Sequence, residues 1–517
     1  MEDQSGSVVR DNRQNHDTGA LLINAEAVRS IASAVEGTLG PKGLDTMLVD
    51  DQGNVVVTND GVTILERMRI QHPSARMVAN IARAQQEEVG DGTTTATLLA
   101  AALVVEGAKQ VSRGVPVAKV IVGIRKGVRF ALERMQEKAH PIWDLQDEWL
   151  QRIAYTAGGE QEDVTELVME AAHMVGREKL LEKNFKLSDA VEAYPRVDSC
   201  IFAGLLINRN RMNYQMPVAR QKVRILTFGG ELRPELVEGG VMPNSDAAFK
   251  KQEKYNEEFE RALHKLIDLN IDLVLVEGEV HQKAEEWLTD AEITVVEKVG
   301  ANDLTRVAEH TGAKVIKSNS LRKSREHLEP MIGICEEIED EEHLGFMRII
   351  GGAGKTFATI LVGASTEEVV GERERITKDA AAAVQAAIRG GFLAGGGAAE
   401  LSLARDVEKY RDTVQGMEAF GVAAVAEALH RPMSQVVANA GFNPLEKVEE
   451  VKALQWKRQS ASLGVDCDRG TVHDMVEMGV VDPLLVKYHA LQAAGEVSTA
   501  ILRIHTVVKM NDVESPR

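Results

Sequence analysis

The stretch 87-EEVGDGTTTATLLAA-101 combines residue types that handle phosphate groups. Asp91 lies between two glycines that let a ligand approach the backbone, and a helix predicted to begin near Thr93 would direct its free N–H groups and positive dipole end at an anion. A bare phosphate would repel Asp91, but Mg²⁺ between the two would suit both, because Mg²⁺ binds one or two carboxylates together with phosphate oxygens. The alternative is helix capping, in which Asp or Thr accepts from the first N–H groups. This stretch alone leaves both interpretations open.

Two further carboxylates occur where they could face a ligand. Asp60 is in the turn 58-TNDG-61 ahead of another predicted helix, and Asp379 enters an alanine-rich helix in ERITKDAAAAVQAAIRGG. Each also has an ordinary interpretation, as a solvated turn residue or a solvated helix residue. The turn 38-TLGPKG-43, which ends a helix, and the glycines of 395-GGG-397 are further places where the backbone could approach a ligand closely.

The composition argues against several classes of protein. The 517 residues include 79 acidic and 60 basic side chains, and the net charge of -19 disfavours binding to nucleic acid or anionic membranes. The three cysteines lie far apart and show no metal-ligand spacing. The polar N-terminus lacks the apolar segment of a signal peptide, and the longest apolar run, around Thr95 to Val105, is too short to span a bilayer. We therefore expect a soluble cytoplasmic protein of two to four domains, without nucleic-acid or membrane partners.

The predicted elements give the chain a nested organisation. Helical patterns cover Leu21 to about Lys138, with a predicted β-hairpin in MLVDDQGNVVVTNDG, and they return from Thr366 onward. From about Asn208 to Leu361, strand-like runs alternate with polar helices, which is typical of an α/β module. These runs are VRILTF, IDLVLVEG, ITVVEKV, AKVIKS, FMRIIGG and FATILVGA. If the two helical ends pack together, the α/β module is an insertion between them.

Five motifs occur in the order found in chaperonins, the double-ring, ATP-driven protein-folding machines. They are TLGPKG, VVVTNDGVTIL, EVGDGTTTAT, LAGGGAAEL and MGVVDPLLVK, and the resemblance covers essentially the whole chain. It implies a multidomain fold with a mainly α-helical equatorial ATPase domain, an α/β intermediate hinge domain and an α/β apical substrate-binding domain that carries a helical protrusion. The implied boundaries are 1–142 and 395–517 for the equatorial domain, 143–207 and 359–394 for the intermediate domain, 208–358 for the apical domain and near 242–270 for the protrusion.

The same resemblance implies the residues of a nucleotide site. Asp91 would be the Mg²⁺ ligand, while Asp60 and Asp379 would face the γ-phosphate and position the attacking water, with Asp379 the stronger candidate for the base. The other implied nucleotide contacts are Leu39, Gly40, Pro41, Gly92, Thr93, Thr94, Thr95, Gly159, Gly396 and Asp482. The implied ligands are ATP and Mg²⁺, with K⁺ as a further candidate. Phosphoryl transfer depends on positioning and charge stabilisation, so an oriented water and a metal are sufficient.

Within the family, the chain resembles the thermosome-like branch, or group II type. That branch carries a built-in helical lid and needs no separate cap protein. The segment 243–270 stands where the lid protrusion is expected, and its apolar residues form one helical seam, namely Tyr255, Phe259, Leu263 and Leu266 or Ile267. The ordinary interpretation of this seam is an amphipathic helix packed on the α/β module. Phe249 lies off the seam and suggests an exposed tip.

The resemblance further implies partners and a function. The chain would form two stacked rings of identical subunits, eight or nine per ring, that enclose and fold non-native client proteins. The rival interpretation is a ring-forming holdase or scaffold without productive ATP hydrolysis. The presence of Asp60, Asp91 and Asp379 argues against that rival.

Two stretches depart from simple motif matches. Thermosome-like chains tend to have a lysine in a Thr-Gly-Lys stretch near the nucleotide, whereas this chain has 156-TAGG-159. We therefore expect lid closure to be less tightly coupled to the nucleotide state. The departure also indicates a divergent member of the family, such as those of the bacterial lineage that carries thermosome-like chaperonins.

The stretch 351-GGAGKT-356 resembles the end of a P-loop, but the first glycine of that motif would fall at Ile349. A turn between two strands is the simpler interpretation.

Overall fold

The structure, a computed structural model, describes residues 5–235 and 246–506. Its contacts divide the chain into two compact units. The helical unit comprises Met1–Met169, Arg177–Ser188 and Ile376–Arg517, and the sheet unit comprises Glu170–Gly176 and Asp189–Arg375. Both chain ends therefore contribute to one unit, as the nested pattern indicates. The finer division into equatorial, intermediate and apical domains stays a prediction, since the contacts separate two units.

The elements are numbered here in chain order. The helices are α1 (Ser5–Val35), α2 (Gly61–Arg67), α3 (Pro73–Val89), α4 (Thr93–Ser112), α5 (Val117–Lys138), α6 (Glu148–Ala157), α7 (Glu162–Val175), α8 (Arg177–Leu181), α9 (Asp246–Asp268), α10 (Gln282–Asp290), α11 (Ala301–Thr311), α12 (Ser318–Leu321), α13 (Arg325–Leu328), α14 (Glu367–Gly390), α15 (Ala398–Arg411), α16 (Glu418–Leu429), α17 (Arg431–Asn439), α18 (Pro444–Arg458) and α19 (Leu484–Leu502). The strands are β1 (Thr46–Val49), β2 (Val55–Thr58), β3 (Val191–Pro195), β4 (Cys200–Ile207), β5 (Ala219–Phe228), β6 (Leu273–Val276), β7 (Thr294–Val296), β8 (Gly333–Glu341), β9 (Phe346–Gly352), β10 (Ala358–Ala364), β11 (Phe392–Ala394), β12 (Leu463–Val465), β13 (Val472–Asp474) and β14 (Val481–Pro483).

Helix α4 is central to the core of the helical unit. Its apolar run was expected to be buried, and Leu98, Leu99, Leu103 and Val104 are all almost completely buried. Helices α1, α3, α16 and α19 pack around it. Burying each such leucine stabilises the fold by roughly 1.5–3 kcal/mol relative to exposure. This packing fixes the direction of α4 and therefore the place of its N-terminus.

Short antiparallel sheets connect distant segments of the helical unit. Strands β1 and β2 form the predicted hairpin, with Met47 opposite Val57. Strands β11 and β14 pair so that Leu393 lies opposite Asp482. This second pairing brings the 395–397 glycines, which follow β11, to the segment that leads into α19.

The sheet unit contains an eight-stranded mixed sheet in the order β3-β10-β4-β9-β8-β5-β6-β7. Strands β5, β6 and β7 are mutually parallel, and β8 pairs antiparallel with β5. Helices α9, α10 and α11 belong to the same unit, and apolar side chains of α9 and α10 pack into a core with those of β5 and β6. The α/β character expected for the middle of the chain is confirmed.

Three details of the expected strands were wrong. The run AKVIKS is not a strand and makes a single bridge from Ile316 to Phe228, because only six residues separate α11 from α12 and the first of them is the left-handed Gly312. The sheet also begins at Val191, earlier than the expected Asn208. Strand β8 was missed because its sequence GICEEIEDE is acidic, although its side chains alternate between buried and exposed.

Helix α9 has the expected amphipathic seam. Phe259, Leu263 and Leu266 are buried, whereas the Phe249 side chain is 62% exposed. The ordinary interpretation, a helix packed on the α/β module, therefore holds for the C-terminal half of α9. Residues 243–245 of the expected protrusion lie outside the described residues.

Two further sequence expectations concern the stretch 351–356 and membrane-spanning helices. The stretch 351–356 links β9 to β10 as a turn, as expected, and no long helix follows it. Over residues 5–235 and 246–506, no helix combines the length and apolar character needed to cross a bilayer.

Candidate functional site

The turn between α3 and α4 has the geometry of an anion site. Gly90 and Gly92 have φ angles of 72° and 78°, a left-handed conformation that glycine adopts without strain. Gly92 is the N-cap of α4 and, being glycine, offers no side chain to cap it. The Asp91 carboxylate accepts from the Gly92 N–H at 2.5 Å. Both interpretations of this turn, a helix cap by Asp91 and an anion site at the start of α4, stay predictions.

The threonines of this helix line its first turn. Thr93 and Thr94 are buried and Thr95 is half-buried. Gly61, the first residue of α2, approaches them so closely that a Cβ added there would lie 2.5 Å from Oγ1 of Thr94. The start of α2 therefore lies against the start of α4, which brings Asp60 into the same region.

Asp60 has a structural partner of its own. It is the N-cap of α2, and its carboxylate accepts from Thr63 through the backbone N–H at 2.8 Å and through Oγ1 at 2.6 Å. This is a side-chain cap of the kind that typically stabilises a helix by about 1 kcal/mol. Asp60 is thus held in place near Thr94 by α2 itself.

Asp379 lies on the part of α14 that belongs to the helical unit, and it is half-buried. Nε2 of Gln86, near the end of α3, donates to Oδ1 of Asp379 at 3.4 Å. One turn further along α14, a Cβ added to Gly90 would lie 2.4 Å from Cβ of Ala382. Helix α14 therefore packs directly on the Asp91 turn, and Asp379 is not a solvated surface residue.

The 156-TAGG-159 stretch, at the end of α6, reaches the same face of α14. A Cβ added to Gly158 would lie 3.6 Å from Cβ of Ala380, and one added to Gly159 would lie 3.7 Å from the Ile376 side chain. Gly159 has a φ angle of 62°. The structure thus brings Gly159 next to the turn of α14 that carries Asp379.

Helix α17 connects two of the other predicted stretches. Val436 lies 3.2 Å from a Cβ added to Gly40, and the backbone N of Met433 lies 2.6 Å from one added to Gly397. The carbonyl of Leu39 accepts from Nδ2 of Asn439 at 2.8 Å. The 39–41 stretch and Gly397 therefore lie along one helix, whereas a Cβ added to the neighbouring Gly396 would lie 3.5 Å from Sδ of Met475.

Asp482 belongs to an ion-pair network at the start of α19. Nζ of Lys487 lies 2.8 Å from Oδ2 of Asp482 and 2.7 Å from Oε1 of Glu400. The side chains of Lys487 and Glu400 are 6% and 3% exposed, whereas that of Asp482 is 38% exposed. Burial alone would lower the pKa of Lys487, but the two carboxylates outweigh burial and hold that pKa above its ordinary value. Lys487 therefore stays charged and holds Asp482 in place.

Gln85 links the Asp91 turn to α19. Its buried Nε2 donates to the carbonyl of Asp91 at 2.8 Å and to the carbonyl of Val486 at 2.9 Å. Since Val486 precedes Lys487, the two ends of the candidate site share one rigid helix. Sequence reasoning missed Gln85, Gln86, Glu400 and Lys487. Amides leave no charge pattern, and 87 positions separate Glu400 from Lys487.

The donor set fits a metal that is shared with a ligand. Among the described residues, no cluster of three or more His, Cys, Asp or Glu side chains could hold a metal unaided. Asp91 between two left-handed glycines provides one carboxylate, and the open first turn of α4 provides N–H groups for phosphate. This combination suits Mg²⁺, which keeps few protein ligands and binds the phosphates of its nucleotide.

Comparisons with known proteins identify similar chains. A model of the TCP-1/cpn60 chaperonin family matches residues 31–512. The chain is 33% identical over 513 residues to a thermosome subunit of Methanopyrus kandleri, covering 96% of this chain and 92% of that relative. It is 33% identical over 506 residues to the thermosome subunit alpha of Thermoplasma acidophilum, covering 94% and 90%.

A solved structure is also similar. A group III chaperonin in the open state is 43% identical, with a TM-score of 0.87, and the match covers 95% of this chain and 99% of that chain. The match extends over both units, so the fold as well as the motifs is shared. By sequence and by structure, this chain belongs to the TCP-1/cpn60 chaperonin family.

Proposed function

We propose that the helical unit binds and hydrolyses Mg²⁺-ATP at the Asp91 turn and that this hydrolysis drives the folding of client proteins. The chain is an ATP-dependent chaperonin, and members of its family are ATPases that drive protein folding. The observation that carries the residue assignment is the packing of the Asp379 helix on the glycine-flanked Asp91 turn.

The phosphate end of the proposed site is the start of α4. The N–H groups of its first turn, with Gly92 and the hydroxyls of Thr93, Thr94 and Thr95, hold the phosphates. Asp91 holds Mg²⁺, which when bound neutralises phosphate charge and orients the terminal group. Gln85 fixes the carbonyl of Asp91, so this turn keeps its shape.

Water activation is assigned to Asp379. Its carboxylate is half-buried on α14, next to the turn that holds the phosphates, and it can orient a water and accept its proton. The carboxylate of Asp60 is engaged as a helix cap, so we give it a supporting electrostatic role at the γ-phosphate. Gly159 lies beside the same turn of α14, where a thermosome-like chain would place its lysine.

The nucleoside end is assigned to the stretches along α17 and to Asp482. Leu39, Gly40 and Pro41 form one wall of the proposed nucleoside pocket. At the opposite wall, Gly396 lets the nucleoside approach the backbone closely. The partly exposed Asp482 carboxylate is an acceptor for the hydroxyl groups of the ribose. Lys487 holds that acceptor in place through their ion pair.

The assembly is also part of the proposal. We assign the chain to two stacked rings of identical subunits, eight or nine per ring, which enclose unfolded or partly folded clients in the cytoplasm. A lid built from the segment near 242–270 would close the cavity without a separate cap protein. The missing lysine at 156–159 would loosen the coupling between lid and nucleotide. The competing proposal is a ring-forming holdase without productive hydrolysis.

Steady-state hydrolysis and nucleotide binding test the residue assignment. Asp379→Ala should bind ATP with wild-type affinity but hydrolyse it at least 100-fold more slowly, since a positioned general base typically contributes about 10²–10⁴. Asp91→Ala should instead lose the Mg²⁺ dependence of ATP affinity. An Asp379→Ala variant with wild-type turnover would remove the base assignment, and a wild-type protein without turnover would favour the holdase.

A further inference from the structure

We propose that Gln86 is a positioning residue for the catalytic carboxylate of Asp379. This inference rests on the proposed function, in which Asp379 orients the attacking water. Gln86 is half-buried near the C-terminal end of α3, and its Nε2 donates to Oδ1 of Asp379 at 3.4 Å. The distance is long for a hydrogen bond. Catalytic hydrogen bonds are often long without substrate and tighten when the substrate binds.

Neighbouring contacts explain why this position controls Asp379. Gln85 and Gln86 are consecutive, and Gln85 fixes the Asp91 carbonyl while Gln86 reaches Asp379. Helix α3 therefore ties the metal-binding turn to the base. The close approach of Ala382 to Gly90 packs α14 against the end of α3, and the amide of Gln86 meets Oδ1 of Asp379 there.

The chemistry of an amide suits this task. An amide donor stabilises the ionised form of a carboxylate and so favours a low pKa, without adding a charge that would compete with Mg²⁺ or the phosphates. A lysine there would neutralise the base too strongly, and a second carboxylate would repel it. Gln86 would thus hold the carboxylate of Asp379 in one orientation.

Two substitutions at Gln86 separate orientation from charge. Gln86→Met keeps the length of the side chain and its helix propensity but removes the donor. We expect kcat for ATP hydrolysis to fall about three- to tenfold at pH 7, as for the loss of one typical hydrogen bond, with KM for ATP within about twofold of wild type. A structural role alone would raise KM or impair assembly as well.

Gln86→Glu provides a readout in the pH profile. A carboxylate next to Asp379 raises the pKa of Asp379, because like charges disfavour ionisation. A base must be ionised to act, so the acidic limb of the kcat profile should move to higher pH by about one unit, and activity should recover as the pH rises. Every other charged side chain near the meeting point of α3 and α14 is unchanged in this variant, including Glu87, Glu88, Asp91, Arg375 and Lys378.

Gln71→Glu is the matched control. It makes the same charge change at an exposed position before the start of α3, roughly 20 Å away at 1.5 Å per helical residue. Its pH profile should match that of wild type. The proposal is overturned if Gln86→Met has wild-type kcat and Gln86→Glu titrates like Gln71→Glu, or if both Gln86 variants raise KM instead of lowering kcat. An active Asp379→Ala variant would instead refute the base assignment itself.

Discussion

The three carboxylates of the site share a residue type but differ in what holds them. Asp60 is held by the N–H and hydroxyl of Thr63, and Asp379 contacts the Gln86 amide. The Asp91 carboxylate accepts from the N–H of its neighbour, within the turn itself. The roles we assign follow these environments. Asp60, whose carboxylate caps a helix, is a weaker candidate for proton transfer than Asp379, whose helix packs on the Asp91 turn.

The buried pair of Lys487 and Glu400 leads to a prediction about stability. Lys487→Met would leave the Glu400 carboxylate buried without a counter-ion, a change that typically costs about 3–5 kcal/mol. The melting temperature of the helical unit should therefore fall by several degrees. Lys487→Met combined with Glu400→Gln should regain most of this loss, because no buried charge remains. Differential scanning calorimetry measures both effects.

Lys452→Met is the control for that experiment. Lys452 pairs with Glu449 at 3.0 Å on α18, but the Glu449 side chain is 62% exposed. A solvent-exposed pair contributes about 0–1 kcal/mol, so the melting temperature should hardly change. If Lys487→Met were as mild as Lys452→Met, the network around Asp482 would not be a structural anchor.

At the scale of elements, the site depends on how closely α14 packs on the turn between α3 and α4. Gly90 lacks a side chain where Ala382 approaches, and its left-handed φ angle ends α3 sharply. The two helices can therefore meet at the level of Asp91. A larger residue on either side would move Asp379 away from the phosphates.

A compensating pair of substitutions tests this packing. Gly90→Ala would place a Cβ 2.4 Å from that of Ala382, so we expect α14 to shift and kcat to fall by at least tenfold, since a displacement of about 1 Å can cost 100-fold. Adding Ala382→Gly removes the collision and should restore most of kcat. The strain of alanine at a φ of 72° remains in both variants, so their difference isolates the collision. Equal kcat values in the two would contradict the packing argument.

The same elements show what sequence reasoning could and could not provide. Helix α4 and the seam of α9 were predictable because apolar periodicity reflects burial directly. The Asp91 turn was predictable because glycine and threonine there are required by conformation and hydrogen bonding. Strand β8 was not predictable because its alternation is formed by acidic residues, and Asp340, although acidic, is buried in an ion pair with Arg211.

The positioning residues were hidden for a different reason. Gln85 and Gln86 each make a hydrogen bond to a partner brought near by tertiary packing: Val486 is 401 positions from Gln85, and Asp379 is 293 positions from Gln86. No local pattern encodes such a contact. Lys487 and Glu400 likewise appear as ordinary helix residues until β11 and β14 pair and bring their segments together.

On the scale of the whole molecule, charge limits how subunits associate. A net charge of -19 makes indiscriminate contacts between copies unfavourable, so ring formation needs specific complementary surfaces. The same charge disfavours nucleic acid as a ligand. We therefore expect light scattering to show a particle many times the 56.4 kDa mass of one chain.

The proposed lid gives the prediction that belongs to this scale. Deleting Met242 to Asn256 removes the start of α9 but ends before the buried seam of Phe259, Leu263 and Leu266, so the core of the sheet unit should still form. ATP hydrolysis should continue, since all residues of the proposed nucleotide site lie in the helical unit. Protection of a trapped client against protease in the presence of ATP should be lost, because the tips that close the cavity are missing.

A milder variant distinguishes the lid from general damage. Phe249 is 62% exposed and lies off the seam, so Phe249→Ser should leave the fold and the assembled mass unchanged. If its burial in the closed state stabilises the lid, each subunit loses roughly 1.5–3 kcal/mol, and the loss repeats around the ring. Protease protection should then weaken without any change in kcat. Phe259→Ser, within the seam, should instead destabilise the sheet unit. A deletion variant that assembles and still shields its client when given ATP would refute the built-in lid and would point to a separate cap protein.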